Sequence, residues 1–197
     1  MSFSSINGDV HSSVPADLPI RIERVPVEKT LQLRHSVLWP DMPLSHVRLP
    51  EDDLGVHYGV FLPEGEEGKQ NEQEPVAVIS LFVEDLPKID KAALEEESDN
   101  VTRDLLQCSS GRAVRFRKFA CAPHFQGRGL GTKLLLHALL LCRSEQGAIV
   151  AWCDARKSTM EWYGKRGLVP FGKTFYKGRV EYIRMLLDLR SIGQEGL

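Results

Sequence analysis

A glycine-rich turn between a strand and a helix constrains this chain more than any other feature. Residues 113–122 (AVRFRKFACA) read as a strand that ends at Pro123, and the turn Gln126-Gly127-Arg128-Gly129-Leu130-Gly131 opens a long apolar helix over about 129–145. Gly147 closes that helix, and residues 148–154 (AIVAWCD) form the next strand. Strands joined through a helix run parallel, because only a short hairpin reverses the chain directly.

The same turn has the properties of an anion site. Glycines allow close backbone approach, successive N–H groups converge, and the helix N-terminus adds a favourable dipole. Thr132 and Lys133 extend the donor set. The plainer alternative is a tight strand-to-helix connection. No G-K-[ST] follows at P-loop spacing, and the longer βαβ series of a dinucleotide fold is absent.

Around this unit the pattern predicts a mixed α/β domain with a largely antiparallel sheet. A strand over 20–25 precedes a helix whose apolar side is Val27, Leu31, Leu33 and Leu38 with His35, ending before Pro40. Residues 57–62 and 75–85 read as strands joined by a polar hairpin loop. Residues 86–111 are an acidic insertion or helical flap, whose acids form a solvated face or attract cationic amines. A helix over 158–166 stops at Gly167, and runs near 171–176 and 181–189 form a hairpin turning at Gly178.

At 197 residues the chain fits one domain, here 19–190, after a disordered leader over 1–18. A net charge of -2 argues against nucleic acid as partner, although Arg112, Arg115, Arg117 and Lys118 crowd one stretch. Cys108, Cys121, Cys142 and Cys153 lack zinc or disulfide spacing, so no metal is expected. Neither a secretory signal nor a membrane span is legible, which predicts a cytoplasmic protein. The helix run 134–141 is apolar on several faces and could also serve a homodimer.

The pattern Q-x-x-G-x-G after R-K-F-A-C-A-P, with Gln126, Gly129 and Gly131 at its signature positions, resembles the acetyl-CoA motif of the GCN5-related N-acetyltransferase (GNAT) superfamily. Trp152 to Arg156, then Trp162, Tyr163 and Gly167-Leu168, are similar to that superfamily's fifth strand and following helix. Asp154, Trp162 and Leu168 stand where many relatives have Asn, Phe and Phe. The resemblance covers about 113–188.

It implies a GNAT-like sheet flanked by helices, with splayed parallel strands forming an acyl-CoA cleft. Phe119, Ala120 and Cys121 are then expected to bond the pantetheine arm, and the amides of Gly127, Arg128, Gly129, Leu130, Gly131 and Thr132 the pyrophosphate, with Gln126 and Arg156 among the cofactor contacts. An N–H near Cys121 or Ala122 would polarise the thioester carbonyl. Tyr163 is the expected general acid for the departing thiolate. Its alternative is a ring packed on the sheet.

The acceptor amine must lose a proton, and Glu84 and Asp85, followed by Asp154, are the candidate bases, each also readable as an ordinary surface or capping carboxylate. An acyl-Cys121 intermediate is disfavoured, since no histidine lies near it in sequence. The expected activity is acetyl transfer from acetyl-CoA to a small-molecule primary amine by direct attack. The alternatives are a protein N-terminal or lysine acetyltransferase and a non-catalytic acyl-CoA-binding module.

Overall fold

The computed structural model describes residues 20–63, 74–88, 100–108 and 112–192. The leader, most of the polar loop after Leu62 and the acidic run 89–99 lie outside the described residues. Seven strands form one sheet in the order β1-β2-β3-β4-β5-β7-β6. They are β1 (Arg21–Val25), β2 (Val56–Phe61), β3 (Ala77–Val83), β4 (Ala113–Cys121), β5 (Val150–Arg156), β6 (Val169–Lys177) and β7 (Val180–Asp188). The β4–β5 pair is parallel and every other pair is antiparallel.

Strand alternation divides the core between two faces. On β5, Ala151, Cys153 and Ala155 join the large cluster beneath the helix α3 (Leu130–Gln146), whose Leu134, Leu135, Ala138 and Leu139 are fully buried. Val150 and Trp152 point the other way and pack with Leu105 of the helix α2 (Asn100–Cys108), together with Ala113, Phe171 and Leu186. The helix over 158–166 resolves into a 3-10 turn, Lys157–Thr159, and the short helix α4 (Met160–Gly164), which packs on β6 and β7.

The helix α1 (Glu28–Leu38) packs on β3 and β4, on the face opposite α3. It ends where expected, before Pro40. Its inner face, however, differs from the apolar stripe predicted by periodicity: the buried residues within the helix are Thr30 and Arg34, while Leu31, Leu33 and Leu38 are only partly covered. The reason is a polar network that stands in for the missing apolar contact. Arg34 Nη1 and Nη2 donate to the two Asp52 carboxylate oxygens at 2.7 and 3.1 Å, and Nη2 reaches Ser80 Oγ at 2.6 Å. His57 Nδ1 lies 2.8 Å from Ser80 Oγ, and its Nε2 lies 2.9 Å from the Asp52 carbonyl. Because a carbonyl only accepts, Nε2 carries the proton and Nδ1 accepts. All four side chains are buried, which pins α1 and the 3-10 turn Asp52–Leu54 to β2 and β3.

Candidate active site

The two parallel strands separate. β4 and β5 pair only where Ala113, Val114 and Arg115 face Val150, Ala151 and Trp152. Beyond that point β4 stays with β3 as far as Cys121, while β5 stays with β7 as far as Arg156. A wedge therefore opens toward the strands' C-terminal ends, the position at which open α/β sheets hold ligands.

A cleft of about 540 Å³ fills this wedge. One wall is Phe119, Ala120 and Cys121, and the other is Thr159, Trp162, Tyr163 and Arg166. Its floor is formed by the turn residues Gln126, Gly127 and Gly129 to Thr132. Gln126 Nε2 donates to the Cys121 carbonyl at 2.9 Å, so this side chain fastens the turn to the end of β4.

Gly129 is the cap of α3 and has φ 79°, a left-handed conformation that suits glycine. No side chain caps the helix, and the Lys133 amide is bonded to the Gly129 carbonyl at 3.0 Å, leaving the amides before it as the helix's unsatisfied donors. A Cβ at Gly127 or Gly129 would meet nothing within 4 Å. The backbone there is open to a ligand, as a pyrophosphate held by N–H groups requires. At Gly131 the reason is packing: a Cβ would stand 3.3 Å from Phe119 Cζ.

Four aromatic rings continue the walls. Phe119 lies 5.7 Å from Trp162, Trp162 meets Tyr163 edge-on at 5.0 Å, and Tyr163 lies 5.9 Å from Phe116, all between centroids. Burial raises the Tyr163 hydroxyl well above the ordinary tyrosine range, with the neighbouring Cys153 adding to the shift. This phenol stays protonated near neutrality. Burial likewise raises the Cys121 thiol, which keeps it from being a ready nucleophile.

On the α1 face, Glu84 and Asp154, two of the carboxylates singled out from sequence, are both ion-paired. Arg115 Nη1 donates to Glu84 at 2.7 Å and its Nη2 to Asp154, which also accepts from Lys177 Nζ at 2.7 Å. Arg184 Nε stands 3.7 Å from the second Asp154 oxygen. The Asp154 side chain is 10% exposed and that of Glu84 39%. Arg156, at the end of β5, is exposed and does not line the cleft, and Arg128 lies over the Phe125 ring at 5.3 Å rather than along the cleft wall. Among the described residues, no group of three or more His, Cys, Asp or Glu could hold a metal ion.

Sequence reasoning missed Arg166, which lines the cleft, and Lys118, which directly precedes its Phe119 to Cys121 wall. Arg166 Nε donates to Thr132 Oγ1 at 2.8 Å, with its guanidinium 3.5 Å from the Trp162 ring centre. Lys118 occupies a β-bulge: Val78 faces Ala120 and Ser80 faces Arg117, so Lys118 and Phe119 together oppose Ile79. A basic residue after a helix and another inside an alternating strand carry no distinctive pattern.

The sequence model of the acetyltransferase (GNAT) family matches residues 39–168, well over half of the chain. The uncharacterized N-acetyltransferase YitI of Bacillus subtilis (strain 168) is 23% identical over 175 residues, covering 87% of this chain and 98% of that protein. Among solved structures, an acyl-CoA N-acyltransferase from Pseudomonas aeruginosa matches with a TM-score of 0.55 and 16% identity, over 87% of this chain and 99% of the other. ElaA of Escherichia coli matches with a TM-score of 0.58 and 15% identity, over 86% and 99%.

Proposed function

Since the chain belongs to the acetyltransferase (GNAT) family, whose acyl donor is acetyl-CoA, we propose that this N-acyltransferase acetylates the primary amine of a small molecule by direct attack on the thioester. The observation that carries this reading is the wedge between β4 and β5, floored by free helix amides and walled by Tyr163.

Acetyl-CoA supplies an activated acyl group when bound. The amides from Gly127 to Thr132 would hold its pyrophosphate, and the free edge of β4 from Phe119 to Cys121 would offer backbone groups to the pantetheine arm. An N–H at Cys121 or Ala122 has the alternative of bonding within the fold, and the Ala122 amide does so with the Val76 carbonyl at 2.9 Å. Cys121 is therefore the better placed of the two to polarise the carbonyl. Tyr163 would supply the proton that the departing thiolate takes up.

Glu84 is bonded through one oxygen to Arg115 and remains substantially exposed, which leaves it the freer of the two ion-paired carboxylates to act as base. Asp154, held by Arg115 and Lys177 with Arg184 alongside, orders those cations instead. Among the described residues, no helix is long and apolar enough to cross a membrane. The free thiols Cys121, Cys142 and Cys153 support a cytoplasmic setting. A homodimer through the outer side of α3, where Leu140 is exposed, belongs to the same reading and is checked by sedimentation.

The test is thiol release from acetyl-CoA with a panel of small amines and of peptides bearing a free N-terminus or lysine. Turnover of small amines is expected. Turnover confined to peptides would transfer the assignment to protein acetylation.

A further inference from the structure

The bulge in β4 changes the direction in which one lysine points. Val114 and Phe116 face the α3 layer, so unbroken alternation would carry residue 118 there as well. The extra residue gives that face to Phe119 and Cys121 instead. Lys118, with φ 53°, is turned to the α1 face, where its Nζ rests 3.6 Å from the centre of the Trp39 ring. A left-handed conformation at a residue other than glycine costs conformational energy, and such costs concentrate at functional positions.

The charges on that face are unequal. Arg115, Arg117, Lys118, Lys177 and Arg184 stand against Glu51, Glu84 and Asp154. Each carboxylate is already taken: Glu51 by Arg117, Glu84 by Arg115, and Asp154 by Arg115 and Lys177. Arg34, behind them, is matched to Asp52. Lys118 is the cation left over, with no carboxylate within ion-pair distance among the described residues. It also lies one residue before the Phe119 to Cys121 segment that lines the donor cleft.

We infer that the acceptor is a small amine that also bears a carboxylate, as an amino acid does, and that Lys118 anchors this carboxylate; the inference rests on the small-amine reading above. A half-buried ammonium supported only by a ring face gains a charge-assisted hydrogen bond when a carboxylate arrives. A polycation is repelled by the surplus of positive groups, and a neutral amine gains nothing from Lys118. Burial, followed by the charges of Arg117 and Arg34, lowers the Lys118 pKa to about 8; Asp52 opposes this and Lys177 adds to it. A bound carboxylate restores the charged form.

The experiment compares pairs of acceptors that differ only at the carboxylate, amino acids against their carboxamides, at saturating acetyl-CoA. In the wild type, kcat/KM for the acids is expected to exceed that for the amides by roughly tenfold or more, the value of one hydrogen bond between charged groups. Lys118→Met brings the ratio to about one, and Lys118→Arg keeps the acid preference. Independently of turnover, the Lys118 ammonium resonance, titrated by NMR, moves to higher pKa with the amino acid and stays put with its amide. Equal rates for acid and amide in the wild type, preference for polycations, or an acid preference that survives Lys118→Met overturns the anchor while leaving small-amine acetylation standing. Failure of every small amine while acetyl-CoA still binds overturns the small-amine reading, and the anchor with it.

Discussion

Arg166 and Thr132 both line the cleft and are joined by a hydrogen bond, the Arg166 Nε donating to Thr132 Oγ1 at 2.8 Å. The bond joins the segment after α4 to the first turn of α3. The same guanidinium donates from Nη1 to the Trp162 carbonyl at 2.5 Å and covers the Trp162 ring, so one side chain fixes the aromatic wall against the helix terminus.

Replacing Arg166 by Ala is therefore expected to weaken acetyl-CoA binding by roughly tenfold, because a charge-assisted bond is worth about 1.5 to 3 kcal/mol and a positive group is lost beside the anion site. Thr132→Val removes the bond but leaves the charge, and should cost less. Isothermal titration of both variants checks the order. Wild-type affinity in Arg166→Ala would reduce the residue to packing.

The glycine turn makes a second prediction. Gly129→Glu places a negative charge on the open surface of the turn, where its Cβ would meet nothing within 4 Å, and adds left-handed strain of about 1 to 2 kcal/mol. The domain should fold with an unchanged circular dichroism spectrum and lose acetyl-CoA affinity by at least about tenfold, since like charges oppose the pyrophosphate. Gly131→Glu should lose binding as well, with an added stability cost from the contact with Phe119. Intact affinity in both variants would make the turn a connection only.

These two predictions lie in the part of the chain that the sequence made most legible. The strand 113–122, the turn and the helix that follows obey simple periodicity and glycine punctuation, and the structure places them within one or two residues of expectation. Tyr163 was found through the motif around it. The acceptor side was far less readable, for a physical reason: α1 buries Arg34 where an apolar residue would have announced the inner face, and its partners Asp52, His57 and Ser80 lie 18 to 46 residues away. Hydrophobic periodicity cannot register a core built from charge pairing. Nor can alternation locate a bulge, so Lys118 appeared only as one more basic residue in a strand.

That buried network should also govern stability against pH. Burial raises the Asp52 carboxyl, but hydrogen bonds from Arg34 and the Leu49 amide outweigh it and leave the pKa below the ordinary value. Burial lowers the His57 pKa, and the Arg34 charge lowers it further against the carbonyl of Asp52. For both groups the unfolded chain binds protons that the folded chain refuses, so stability rises with pH through each window. The His57 contribution is complete above about pH 6.5 and falls as pH drops toward its folded pKa, and that of Asp52 fails further down, below about pH 3.9.

Tm of the wild type should decline from about pH 6.5 downward, and His57→Gln should flatten the upper part of that decline. Arg34→Met, which strands Asp52, should cost about 3 to 5 kcal/mol at neutral pH. Denaturant titration measures the second effect. A loss below about 1 kcal/mol would mean that the network contributes little to the fold.

Proton donation to the leaving group rests on Tyr163, whose hydroxyl matters only as charge develops on sulfur. An interaction realised in the transition state affects turnover more than ground-state binding. General acid catalysis is typically worth roughly 100- to 10,000-fold, and a thiolate is already a good leaving group, so the low end applies. Single-turnover acetylation of an accepted small amine by Tyr163→Phe, with acetyl-CoA affinity measured alongside, is the direct test. The expected result is a rate at the chemical step lower by about tenfold to a hundredfold with donor affinity nearly intact, whereas an unchanged rate would contradict the role of Tyr163 as proton donor.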